Sequence, residues 1–184
     1  WAKTVTAEPL LALAAAPRID LDDPIGGYVR SPGFDGDPRY KLLTPRILLA
    51  HRSGLRNWAD DYPDGKLAFD WEPGARYRYS GAGIELAARY AQAKTGMTLR
   101  ALSAETLLRP WGIAHMAVGE LPGWTTGRLA LPVGADGRFL DLASLYPGLR
   151  EGAGLGAAYD LIATPDAYGA FLERLIAASQ AKSE

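Results

Sequence analysis

The serine residues of this chain are the first candidates for a catalytic nucleophile, and none stands in a favourable setting. Ser53 and Ser80 are not framed by Gly-x-Ser-x-Gly, the strained strand-to-helix turn that exposes the nucleophile of an α/β-hydrolase. Ser179-Gln-Ala-Lys182 places a lysine one helical turn after a serine, but no apolar run follows it. We interpret that spacing as chance, so the sequence offers no complete pair of nucleophile and base.

Three other residues could move a proton in acyl-transfer chemistry, in which a base must activate a weakly nucleophilic hydroxyl group: Lys3, Tyr79 and His51. Each also has a plain structural interpretation. A lysine so near the first residue is most often exposed to solvent, and a tyrosine such as Tyr79 most often packs half-buried. The motifs around these residues must decide between the two interpretations.

Metal chemistry has little support in the sequence. Asp20, Asp22 and Asp23 are close enough together to suggest a cation site, but Asp and Pro in Ile19-Asp20-Leu21-Asp22-Asp23-Pro24 favour a turn. The absence of cysteine excludes disulfides and zinc–thiolate sites, and the two histidines, His51 and His115, cannot form a histidine-rich site. We predict no metal and no organic cofactor.

Apolar periodicity and capping residues predict five helices, at residues 3–16, 45–52, 83–95, 99–108 and 165–178. Thr44-Pro45 and Thr164-Pro165 both place a capping threonine before a proline at the first helical position. Pro9 is expected to kink the first helix or to start it afresh, and Pro110 to end the fourth. Residues 31–41 should form an exposed loop, residues 56–78 an irregular segment, and residues 114–146 short strands and turns.

Composition narrows the class of protein. The net charge of −1 favours neither nucleic acid nor an anionic membrane as a partner. The longest apolar stretch, residues 10–16, is far shorter than the ~20 residues of a membrane span, and no signal peptide is visible.

The order of motifs resembles the class C serine β-lactamases, a family that also contains low-molecular-weight penicillin-binding proteins and β-lactamase-like esterases. Five segments carry the resemblance, and they lie in the family's order and spacing. They are Ala2-Lys3-Thr4-Val5-Thr6-Ala7, Ile19–Pro24, Thr44–Leu55 with its His51-Arg52-Ser53-Gly54-Leu55 end, Trp71-Glu72-Pro73-Gly74 followed by Tyr77–Gly83, and Gly154–Leu172.

The resemblance implies that Lys3 is the lysine of a Ser-x-x-Lys motif whose serine directly precedes Trp1, and that Tyr79 shares the proton and passes it to the leaving group. His51 would be structural and would close a helix end. The fold would be mainly α: residues 1–184 as one partial domain, the helical lobe of a β-lactamase-like fold with a few short strands. The segment before the lysine and the C-terminal sheet strands, with their Lys-Thr-Gly or His-x-Gly motif, would be supplied by the rest of the same fold. The resemblance also favours a periplasmic or secreted location for the protein.

The family carries Asn where this chain has Gly81, which in the resemblance is the substrate-binding position. Losing that side-chain amide favours esters or other acyl groups over β-lactams, although Gly81 could equally widen the pocket. The aromatic residues from Trp58 to Tyr79 could line an apolar acyl pocket or pack as a lid. The resemblance thus predicts a serine hydrolase or acyltransferase acting on a small ester, amide or β-lactam through an acyl-serine. The alternative is a catalytically inactive binding module of the same fold.

Overall fold

A computed structural model describes residues 1–141 and 156–180, and its architecture is mainly helical. The helices are α1 (Ala2–Ala15), α2 (Pro45–Leu49), α3 (Gly81–Thr95), α4 (Leu99–Ser103), α5 (Arg109–Trp111) and α6 (Pro165–Gln180). A π-helical segment, Ala104–Leu108, joins α4 to α5. Short 3₁₀ turns occupy Ile25–Gly27, Pro32–Phe34, Pro38–Leu42, Ala59–Asp61 and Gly123–Thr125.

Helices α1 and α3 lie at the centre of the lobe and pack against each other. Leu10 and Leu13 of α1 join Leu86 and Tyr90 of α3 in one apolar cluster. Val5 of α1 belongs to a second cluster that also contains Ala88, Leu99, Leu107, Met116 and Phe171. Because both central helices contribute to a core on each side, the start of α1 and the start of α3 are held at fixed positions relative to each other.

The expectation that Pro9 starts the first helix afresh was wrong. Helix α1 runs without interruption from Ala2 to Ala15 and contains Pro9, which is buried. A proline inside a helix removes one hydrogen bond and costs roughly 3 kcal/mol. Here the burial of Val5, Leu10 and Leu13 on both sides of it offsets that cost.

The prediction that Pro110 ends the fourth helix was also wrong. Helical structure continues through Pro110 to Trp111 and ends at Gly112, whose φ is 67°. The preceding residues, Ala104–Leu108, form a π-helix. Its wider turn leaves room for the pyrrolidine ring, which would otherwise meet the carbonyl group one α-helical turn earlier.

The capping predictions were confirmed at two starts. Thr44 Oγ1 accepts a hydrogen bond from Ile47 N at 3.4 Å, and Thr164 Oγ1 accepts one from Ala167 N at 3.2 Å. Helix α2 is shorter than the predicted 45–52 because His51 takes a left-handed conformation with φ of 54°. The amide groups of His51 and Arg52 then donate back to Leu48 O and Ile47 O and close the helix end.

Strand content among the described residues is one antiparallel pair, β1 (Met116–Val118) and β2 (Leu161–Ala163), with Ala117 opposite Ile162. The sequence predicted short strands near β1 but missed β2. The predicted loop at 31–41 is instead two 3₁₀ turns that place Phe34 in the core. The described residues exclude 142–155 and 181–184. The end of the 114–146 segment, most of the glycine-rich residues 152–156 and Lys182 therefore lie outside the described residues. The prediction of a mainly α lobe with few short strands is confirmed.

Candidate active site

Lys3 lies in the first turn of α1, and its side chain is partly buried. The ammonium nitrogen donates a hydrogen bond to Ala158 O at 2.7 Å. It also stands over two aromatic rings, 4.8 Å from the ring centroid of Tyr79 and 5.9 Å from that of Trp58. Lys3 is therefore held at one point by contacts from three separate parts of the chain.

Tyr79 is brought to Lys3 by the start of helix α3. Ser80 caps that helix: its fully buried Oγ accepts from Gly83 N at 3.0 Å and donates to Arg56 O at 2.8 Å. The preceding residue, Tyr79, is thereby fixed at the helix start and remains 47% exposed. Lys3 Nζ thus meets Tyr79, 76 positions away in sequence, at the face of the phenol ring. No hydrogen bond joins Lys3 Nζ to the Tyr79 hydroxyl among the described residues.

His51, to which the resemblance assigned a structural role, is the third ring of this cluster. Its ring centroid lies 4.7 Å from that of Tyr79, with 32° between the planes. Nδ1 accepts a hydrogen bond from Ser80 N at 3.1 Å, so Nδ1 carries no proton and the neutral ring holds its proton on Nε2. Burial lowers the pKa of His51, and the nearby Lys3 ammonium lowers it further. The backbone geometry of a left-handed histidine has no signal in a single sequence.

Asn57 and Trp58 form the opposite wall of the site. Asn57 Oδ1 accepts from Gly81 N at 2.7 Å, and Asn57 O accepts from Ala82 N at 2.8 Å. Two of the free amide groups at the start of α3 are thus satisfied by one residue. The indole of Trp58 then lies directly against Gly81.

The segment before β2 completes the environment of Lys3. Ala158 O accepts from Lys3 Nζ, while Ala158 N donates to Glu85 Oε1 at 2.6 Å. Thr6 Oγ1, fully buried, donates to Ala157 O at 2.6 Å. Since α1 and α3 both bind this segment, its position determines where the lysine nitrogen lies.

Asp160 closes the same turn, because its Oδ2 accepts from Gly156 N at 2.5 Å. Burial raises the pKa of the Asp160 carboxyl. Tyr159 packs edge-on to Trp58, with ring centroids 5.4 Å apart, and extends the aromatic wall.

An open depression of about 500 Å³ lies beside Tyr79 and is lined by Arg56, Asn57, Asp61, Asp70 and Arg78. Asp70 pairs with Arg78 and, at 3.1 Å, with Arg56. The hydrogen bond from Arg78 is the main reason that the pKa of Asp70 is lowered. Arg56, Asp70 and Arg78 are therefore paired with one another, and Asp61 Oδ2 accepts from Trp58 N at 2.9 Å.

The aspartates of the Ile19–Pro24 turn are used in structure. Asp20 Oδ1 accepts from Asp22 N at 2.9 Å, Asp22 pairs with Arg46 at 2.7 Å, and Asp23 pairs with Lys94 at 2.8 Å. Within residues 1–141 and 156–180, no group of three or more metal-ligating side chains comes together. In those same ranges, no helix is long and apolar enough to cross a membrane.

Lys3, His51, Tyr79, Gly81 and Ala158 come from the motifs that carried the resemblance, and a comparison of families agrees. A family model described as Beta-lactamase matches residues 2–184. The chain belongs to the beta-lactamase family. A search by sequence found no curated protein that matches the chain.

Solved structures share the fold of this beta-lactamase family chain. A D-amino acid amidase from Ochrobactrum anthropi SV3, complexed with L-phenylalanine amide, is 25% identical with a TM-score of 0.74; the match covers 95% of this chain and 53% of that one. A D-stereospecific amidohydrolase from Streptomyces sp. is 24% identical with a TM-score of 0.69, covering 93% and 57%. An octameric penicillin-binding protein homologue from Pyrococcus abyssi is 17% identical with a TM-score of 0.64, covering 93% and 42%. The chain spans about half the length of these structures.

Proposed function

We propose that this chain carries the proton-handling half of a serine acyl-transfer site, and that a serine directly before Trp1 is the nucleophile. The protein would hydrolyse or transfer the acyl group of a small ester or amide. The observation that carries the proposal is the meeting of Lys3 with Tyr79 and Trp58 at the first turn of α1. A residue three positions before Lys3 would lie on the same face of that helix, within reach of the lysine side chain.

The chemistry would run in two steps through an acyl-serine. Lys3, as the free amine, takes the proton of the serine hydroxyl while the serine oxygen bonds to the substrate carbonyl carbon. Tyr79 passes a proton to the leaving oxygen or nitrogen as the acyl bond breaks. Water, or another acceptor, then loses a proton to the same pair of residues and releases the acyl group.

Gly81 supports esters and amides other than β-lactams as substrates. The family places an amide side chain at this position, and here the site offers only the Gly81 backbone, whose N–H is already bound to Asn57. Two of the similar structures are a D-stereospecific amidohydrolase and a D-amino acid amidase, which favours an amide of a small molecule as the substrate.

The contacts of Lys3 also favour a second candidate, a binding module without catalysis. A carbonyl oxygen and two aromatic faces are partners that suit a charged ammonium, whereas a general base must present a free amine. In that case Lys3 would hold the start of α1 against α3 and the segment before β2, and would take no part in proton transfer.

Covalent labelling separates the two candidates. The protein that contains this chain together with its upstream segment is incubated with a p-nitrophenyl ester and with a fluorophosphonate, and the modified residue is located by mass spectrometry. The proposal expects acyl or phosphonyl adducts on the serine three residues before Lys3. It also expects no adduct on Ser53, Ser80 or Ser179. An unmodified serine at that position in a folded protein would support the binding module.

A further inference from the structure

The indole of Trp58 occupies the space into which a side chain on Gly81 would project. A Cβ built on Gly81 would lie 2.9 Å from Trp58 Cε2 and nearer still to Cζ2 and Cη2. Real Cβ atoms do not come so close to ring carbons. The φ of Gly81 is not in the left-handed region, so its missing side chain is required by the indole and not by the backbone conformation.

The indole that needs this space is a wall of the site. Trp58 is only partly buried, and Lys3 Nζ stands 5.9 Å from its ring centroid. Tyr159, 53% exposed, meets it edge-on at 5.4 Å and 88°. A substrate carbonyl brought to Lys3 and Tyr79 would therefore have an aromatic surface beside it, where a side chain on residue 81 would otherwise project.

The polar groups beside that wall already have partners. Gly81 N is bound by Asn57 Oδ1, Ala158 O by Lys3 Nζ, and Ala158 N by Glu85 Oε1. The acyl portion of a substrate would meet ring faces in preference to free donors or acceptors. Flat and branched apolar groups gain most from such a surface.

We propose, on the basis of the function proposed above, that Trp58 determines the acyl specificity of the site and selects esters and amides whose acyl group is aromatic or branched and apolar. Gly81 is the residue that permits it, because any side chain there displaces the indole. Trp58 and Gly81 thus act as a pair, and a substitution of either member should have the same consequence.

The test compares hydrolysis of p-nitrophenyl phenylacetate with that of p-nitrophenyl acetate, using the protein that contains this chain with its upstream serine. The quantity measured is the ratio of the two kcat/KM values. Trp58→Ala should lower this ratio about tenfold or more, the effect of losing one apolar contact in a specificity pocket. Trp58→Phe, which keeps a smaller ring, should give an intermediate ratio and serves if the alanine variant does not fold.

Gly81→Ala tests the pairing. It should lower the ratio as Trp58→Ala does, and the double variant should lower it no further, because the indole is displaced or absent in all three. Trp124→Ala is the matched control: Trp124 packs edge-on against His115, outside this cluster, and its loss should leave the ratio unchanged.

The outcomes of the two proposals differ. A folded protein that hydrolyses neither ester overturns the proposed function, and this inference with it. An active protein whose ratio is unchanged in Trp58→Ala, or in Gly81→Ala, leaves the proposed function intact and overturns the role of Trp58. Equal loss of activity on both esters also overturns it, since that pattern reports damage to the site without a change in specificity.

Discussion

Replacing Ser80 by alanine should destabilise the chain more than the loss of an ordinary helix cap. Ser80 Oγ does two things at once: it accepts from Gly83 N at the start of α3, and it donates to Arg56 O in a segment 24 residues earlier. Removing a serine cap costs about 1 kcal/mol. Leaving the partly buried carbonyl oxygen of Arg56 without its donor costs about 1–3 kcal/mol more. Together these effects give a loss of about 2–4 kcal/mol in the free energy of unfolding.

Thr98→Ala provides the matched control. Thr98 also caps a helix, through Ala101 N at 3.2 Å, but it is exposed and makes no second hydrogen bond among the described residues. Its loss should cost about 1 kcal/mol or less. Urea unfolding followed by circular dichroism measures both variants, and equal m-values would show that the comparison is valid. If Ser80→Ala loses no more than Thr98→Ala, the Arg56 contact does not hold the start of α3 in place.

Three further predictions concern single groups. Thr6→Val should lower the free energy of unfolding by about 1–3 kcal/mol because Ala157 O loses its buried donor. The control Thr4→Val, at an exposed position, should leave it unchanged, and equal urea midpoints for the two variants would contradict this prediction. Because the pKa of His51 is lower in the folded chain than in the unfolded chain, the unfolded chain takes up a proton at a higher pH than the folded chain does. The free energy of unfolding should therefore fall as the pH drops below about 6.5. That component should be missing in His51→Asn, which tolerates φ > 0; an unchanged pH dependence in the variant would refute it. Burial and the hydrogen bond to Asp23 raise the pKa of Tyr90 to about 12 from 10.0. An ultraviolet absorbance titration should therefore show a tyrosine that ionises near pH 12, and Tyr90→Phe should remove that step.

Local chemistry made some elements predictable from the sequence. Threonine caps at Thr44 and Thr164 satisfy amide groups within three residues, so their signal is contained in a short window. The predictions that Pro9 starts a new helix and that Pro110 ends one were wrong because the cost of each proline is offset by its surroundings. The burial of Val5 and Leu10 offsets the cost of Pro9, and the preceding π-helix accommodates Pro110. Strand β2 was missed because a three-residue strand depends on its partner β1, more than 40 residues away.

The site was predictable where a motif carried it. Lys3 and Tyr79 were named from their surroundings, and the fold brings them together. The other contacts depend on distant parts of the chain. Ala158 accepts from Lys3 over 155 positions, and the space that Trp58 takes beside Gly81 is visible only in three dimensions. Gly81 looked like the loss of an amide, and the structure adds that an indole stands in its place.

The kinetics of Lys3 and Tyr79 variants test the central proposal most directly. In the protein that contains this chain and its upstream serine, kcat for a p-nitrophenyl ester is measured for Lys3→Ala, Tyr79→Phe and the exposed control Lys41→Ala. Positioned proton transfer contributes about 10²–10⁴-fold to the rate of such reactions. We therefore expect Lys3→Ala and Tyr79→Phe each to lower kcat by at least about 10²-fold, and Lys41→Ala to keep the full kcat. Folded Lys3→Ala and Tyr79→Phe proteins that keep the full kcat would contradict the proposed proton-transfer role of these two residues.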